Sequence, residues 1–154
     1  MARLNRVHPN RTPRRTAAAA VEAAMIAPVL VLLFLGAVDL GQYANTYQIL
    51  SNASAEGARV AARTDSSTEV QEAVIDYFKD AIPNAPEGEL ENAVRVYVWG
   101  VDDEGGLSSD VTGAGSGAPV VVYVLLNYNS VRWVSGFSAL GGKTQIAFTV
   151  MRRE

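Results

Sequence analysis

Apolar positions along this chain change their spacing several times, and each change marks an element. From Ala17 to Val38 the run AAAAVEAAMIAPVLVLLFLGAV is broken only by Glu22, and Ala23–Val38 is sixteen residues without a charge. A run of this kind predicts an apolar helix. At 1.5 Å per residue the uncharged part covers about 24 Å. The alanines before it and Leu40–Tyr43 after it extend the helix to the roughly 30 Å of a bilayer core. Spanning requires Glu22 to sit near one interface or to be neutralised. Pro28 removes one backbone hydrogen bond, which predicts a kink.

Helical spacing continues past the apolar run. Ala44–Arg63 contains no proline and one glycine, Gly57. Tyr43, Tyr47, Leu50 and Ser54 follow one stripe. Two ridges of small residues, Ala53/Gly57/Ala61 and Ser54/Ala58/Ala62, recur every fourth position. Such ridges let another helix or a sheet approach closely, although an alanine-rich helix former would show them too. A helix from Ala17 to Arg63 would be about 70 Å long, more than a bilayer accommodates, so its second half is expected outside as a stalk. Ser66 and Glu69 then form a capping box. Val70, Ala73, Val74, Tyr77, Phe78 and Ala81 follow at helical intervals, giving a second, amphipathic helix that ends at Ile82-Pro83.

Beyond Pro86 the period becomes two. Val94/Val96/Val98 alternate with Arg95/Tyr97/Trp99, and Ile146/Phe148/Val150 with Gln145/Ala147/Thr149. In the stretch 120–127 both alternating sets are largely apolar, which predicts a central strand. Connections too short and glycine-rich for crossover helices predict an antiparallel sheet of three or four strands. Val101–Ala118, rich in Gly, Ala and Ser, reads as a flexible exposed loop. Ser130–Gly142 is expected to pack Trp133 and Phe137 against the sheet edge. The fold class is α+β: a long N-terminal helix, a short helix and a small antiparallel sheet, one face of which the long helix can cover.

Charge sharpens this picture. Residues 1–21 hold five arginines and no acid, while the remaining eight Lys/Arg face all sixteen Asp/Glu. A basic head, an apolar bar and an acidic body is the charge order of a single-pass protein with its N-terminus in the cytoplasm. The basic head is short and lacks interleaved aromatics, which argues against nucleic acid. There is no cysteine, hence no disulfide framework and no thiolate metal site.

Chemistry-bearing patterns are sparse. The one histidine, His8, lies in the basic leader, and no nucleophile elbow or phosphate loop is present. Glu87, Glu89 and Glu91 read as a solvated run in a polar connector. Asp102, Asp103 and Glu104, with Asp110, form the one acidic cluster that could hold calcium, but their spacing fits no EF-hand. No cofactor and no enzymatic activity are expected. Glu22 carries more information, because intramembrane acids are normally paired. A free α-amino group on a neighbouring subunit would serve, if the chain were cut between Ala17 and Ala18 so that Glu22 became the fifth residue.

Taken in order, several segments resemble TadE-like proteins, minor pseudopilins of the tight-adherence (Tad/Flp) type IV pilus system. The segments are Ala18-Ala-Ala-Val-Glu22, Ile26-Ala-Pro28, Gly36-Ala-Val-Asp39-Leu-Gly41 and Glu56-Gly57-Ala58-Arg59, with a terminal Phe148-Thr-Val-Met151-Arg152. The resemblance implies a pilin-like body on a membrane helix and cleavage by a prepilin peptidase after a glycine. Here Ala17 stands at the glycine position, and Ala23 where an aromatic residue usually follows the glutamate. The expected organisation is a leader over 1–17, a long helix over 18–63 with about 20–43 in the inner (cytoplasmic) membrane, and an extracytoplasmic α+β domain over 64–154. The implied partners are the lipid bilayer, the pilus assembly platform, and other pilin and pseudopilin subunits. These subunits would pack through the N-terminal helix at Ala53, Gly57, Ala58 and Ala61. The alternative is a permanently anchored, uncleaved adhesion or binding domain independent of a pilus. A secreted protein with a removable signal would need a small-x-small site after the apolar run, which Leu35-Gly36-Ala37 fits poorly.

Overall fold

A long α-helix, α1 (Pro13–Ala61), opens the computed structural model, which describes residues 13–82, 88–101, 106–109, 111, 114–131, 140 and 142–154. The helix starts four residues before the expected Ala17, with proline at its first turn, where the missing N–H costs nothing. It continues through Pro28. The chain divides into two compact units, Met1–Ala37 and Val38–Glu154. In the first, nearly all the described apolar side chains are exposed: Met25, Leu33 and Phe34 show two thirds or more of their surface. This helix alone, among the described residues, is long and apolar enough to cross a membrane, with a mean hydropathy of 2.4 over its most apolar window.

The second unit is an α+β domain. Ser66 caps α2 (Ser67–Ala81) by accepting the Glu69 N–H, as the capping-box spacing predicts, and Val70, Val74 and Phe78 are fully buried. A short helix, α3 (Glu89–Ala93), leads directly into β1 (Val94–Val101). The polar connector read around Glu87–Glu91 is therefore partly helical, and Glu91 pairs with Lys79 of α2 at 3.4 Å. Two residues, β2 (Leu107–Ser108), pair antiparallel with β1. β3 (Pro119–Asn127) and β4 (Thr144–Arg152) complete an antiparallel sheet of order β2-β1-β3-β4. β3 is central, as its two apolar faces predict.

The expectation of a flexible exposed loop over Val101–Ala118 is corrected in the described parts. Besides β2, Val111 and Ala114 are buried. The Arg153 guanidinium donates to both of their carbonyls at 2.7 and 2.6 Å and pairs with Asp65. A cation near the end of the chain thus ties this loop to the turn after α1. Glu154 N–H adds a bond to the Ala62 carbonyl. Asp102, Asp103, Glu104 and Asp110 lie outside the described residues, as do Trp133 and Phe137.

The core sits between the sheet and the second half of α1. Leu50, Ala53, Ser54, Gly57, Ala58 and Ala61 form one helical stripe, all buried. Facing them, Val120, Val122, Val124 and Leu126 of β3 are fully buried, with Val94 and Val98 of β1 beside them. β4 turns Gln145 and Ala147 toward this core and leaves Ile146, Phe148 and Val150 more than half exposed. Alternation identifies the two faces of a strand but not which one points inward, and here the more apolar face points out.

Candidate functional site

The features that set α1 apart are an exposed apolar run, an acid within it, a ridge of small residues and a polar seam to the sheet. The first two lie in Met1–Ala37. Glu22 is exposed, and its helical neighbours at three and four residues are Ala18, Ala19, Met25 and Ile26. No ion pair reaches Glu22 among the described residues. In lipid, a carboxylate so surrounded needs a cation, an interface or a proton. Ala17 and Ala18, the processing positions inferred from sequence, are exposed and lie inside α1.

The small ridge lies in Val38–Glu154. Ala53, Gly57, Ala58 and Ala61 are buried within their own domain. Gly57 marks the closest approach: a Cβ built there would lie 2.6 Å from Val74 Cγ2 of α2 and 3.3 Å from Val122 Cγ1 of β3. A real methyl at the first distance forces a shift, so Gly57 lets α1 meet α2 and the sheet at one point. These four residues are occupied inside the chain. The large apolar surface of α1 left uncovered is Val21–Leu40.

Below Leu50 the same stripe turns polar. Asp39, only 3% exposed, receives a hydrogen bond from the Tyr128 hydroxyl at its Oδ1 (3.1 Å) and at its carbonyl (3.2 Å). Tyr128 is fully buried in the 3₁₀ turn after β3, Tyr128–Ser130, and meets Tyr43 edge to face at 5.1 Å. Gln42 Nε2 donates to the Val131 carbonyl at 3.0 Å. Gln145 Nε2 of β4 donates to the Tyr43 carbonyl at 2.8 Å, while its buried Oε1 has no partner among the described residues. Farther along, Ser54 and Thr149 share a 2.8 Å hydrogen bond. Ser54 also bonds the Ser51 carbonyl at 2.8 Å and has one proton to give, so Thr149 is the donor to Ser54 Oγ.

The seam fixes the rotation of α1 about its own axis from Asp39 to Ser54. Apolar packing tolerates small rotations, whereas five directional bonds do not. Sequence reasoning marked Asp39 only as part of a motif and missed its partner, because Tyr128 is 89 residues away. An acid on the buried stripe of an otherwise apolar helix face was the available signal.

Residues 17–59 match the family model for TadE-like protein. This segment of the chain is similar to the TadE-like family. The match spans Glu22, Asp39 and Gly57, and so covers both the exposed run and the start of the domain core. Neither the curated proteins nor the solved structures returned a match.

Proposed function

We propose that this chain is a TadE-like minor pseudopilin, a non-enzymatic subunit that initiates, caps or stabilises a Tad/Flp pilus in adhesion or secretion. The observation that carries the reading is the TadE-like match over residues 17–59, laid along a helix whose apolar run Val21–Val38 is exposed among the described residues. The basic head supports an orientation with the N-terminus in the cytoplasm and the α+β domain outside the inner membrane. The partners are other pilin and pseudopilin subunits and the membrane assembly platform. With Ala53, Gly57, Ala58 and Ala61 packed inside the domain, neighbouring subunits meet α1 mainly along Val21–Leu40. Glu22 finds its counter-charge there, in the α-amino group of a neighbour cut between Ala17 and Ala18. Glu22→Ala then abolishes pilus incorporation while leaving membrane insertion and the domain's thermal transition unchanged. Undiminished incorporation of Glu22→Ala would refute this role.

One observation favours a second reading, a permanent uncleaved anchor carrying an adhesion domain. Ala17 occupies the glycine position, and the Ala17–Ala18 bond lies within α1 rather than in an extended segment. N-terminal sequencing of the membrane form separates the two: a start at Ala18 supports the pseudopilin, and an intact leader supports the anchor.

A further inference from the structure

The face of the sheet turned away from α1 is apolar, aromatic and, among the described residues, uncovered. The strand register lays it out in rows across β1, β3 and β4. Tyr97–Tyr123–Phe148 form the middle row, Trp99–Val121–Val150 the row on one side and Arg95–Leu125–Ile146 the row on the other. Tyr123 and Phe148 touch at 5.5 Å between ring centres, so the middle row stands as a preformed ridge. A groove of about 500 Å³ crosses the three rows, lined by Tyr97, Trp99, Val121, Tyr123, Leu125 and Ile146. Its only polar side-chain atoms are two phenol hydroxyls and one indole N–H. A sugar or nucleotide needs several convergent polar groups, so this lining suits an apolar surface instead.

Exposure sets the size of what could cover it. Tyr97 is 44% exposed, Tyr123 37%, Ile146 52%, Phe148 62% and Val150 53%. With full side-chain areas of about 150–250 Å², these five and their half-buried neighbours leave roughly 600 Å² of largely apolar surface. That is the upper end for the largest patch on a monomer, about 300–600 Å². Covering the same face on two copies removes roughly 1,200 Å², the lower limit of a specific interface. Two chains anchored in one membrane meet at high effective concentration, so an interface of that size suffices.

We propose that the outer sheet face is a homotypic interface, stacked on the same face of a second copy about a two-fold axis running along β3. The pattern is self-complementary: that rotation exchanges β1 and β4, so the exposed Phe148 and Val150 of one copy lie over the Tyr97 and Trp99 that line the groove of the other. Among the described residues the face carries no acid. Arg95 and Arg152 lie at opposite corners of it. Rotation about that axis sets Arg95 over the partner's β4 and Arg152 over the partner's β1, so no guanidinium stacks on its own counterpart. The sheets would pack about 10 Å apart, as in a β-sandwich. The proposal does not depend on pilus assembly, because it needs only this chain.

The absence of native cysteine makes the test direct. The full chain, alone in liposomes, carries a single cysteine at Val121→Cys on the face or at Gln71→Cys on the exposed side of α2, and is treated with a thiol cross-linker spanning about 10 Å, the sheet separation. Tyr123→Cys replaces Val121→Cys if the latter unfolds. The face cysteine should give a covalent dimer at least about tenfold more abundant than the α2 cysteine does. Adding Tyr97→Glu and Phe148→Glu should erase that excess, since both sit at the centre of the contact, with the domain's thermal transition retained. Equal cross-linking from both positions, or an excess insensitive to the two glutamates, overturns the proposal. A face cysteine that yields only monomer also overturns it. If that cysteine is shielded from a water-soluble maleimide, lipid covers the face instead.

Discussion

The two halves of α1 share one backbone but carry opposite surfaces. From Val21 to Val38 most side chains are large, apolar and exposed, while from Leu50 to Ala62 the inward ones are mostly small and buried. Large side chains on the first half suit a deformable solvent such as lipid, which conforms to any surface. Small side chains on the second half suit a rigid neighbour, because only they let helix and sheet backbones approach. Side-chain size, more than hydrophobicity, distinguishes membrane span from domain core along this helix. Between them, Asp39, Gln42 and Thr46 form a short polar stretch whose bonds are directional.

The strongest way to break the comparison is to give the second half the side chains of the first. Gly57→Leu drives a bulky group into Val74 and Val122 and should cost more than about 3 kcal/mol, enough to remove the cooperative unfolding transition of the domain. Membrane extraction should be unaffected. Tyr128→Phe takes the hydroxyl from buried Asp39 and should cost about 1–3 kcal/mol in chemical denaturation. Gly57→Ala sets a gain in helix propensity of about 1 kcal/mol against a clash of about 1–3 kcal/mol, leaving a net loss of about 1 kcal/mol. Gln145→Leu should fall within about 1 kcal/mol of wild type. It removes a hydrogen bond to Tyr43 together with a buried oxygen that has no partner among the described residues.

What the sequence made legible follows from local rules. The 3.6-residue stripe of α1, the capping box at Ser66 and the doubly apolar β3 are each set by neighbours in the chain. The ridge at Ala53, Gly57 and Ala61 announced a close approach, but only the structure shows that α2 and the sheet supply it. The rest depended on distant partners. Asp39 and Tyr128, or Tyr43 and Gln145, meet only after the sheet has formed. The inward turn of β4 follows the same logic: the helix side offers Tyr43 O and Ser54 Oγ, which Gln145 and Thr149 can use and Ile146 and Phe148 cannot. β2 and the buried Val111 escaped notice because a Gly/Ala/Ser-rich stretch resembles a linker until Arg153 is seen to bind its carbonyls.

The central claim is that the exposed apolar run Val21–Ala37 belongs to the membrane and contributes nothing to the fold of Val38–Glu154. The double variant Leu30→Lys/Leu33→Lys tests it most directly, measured as alkaline extraction from membranes beside the thermal transition of the same chain. Two mid-helix lysines should weaken insertion by about 5–7 kcal/mol, shifting the chain to the extractable fraction while the domain melts at its wild-type temperature. A variant that resists extraction, or a domain that loses its transition, would contradict the account.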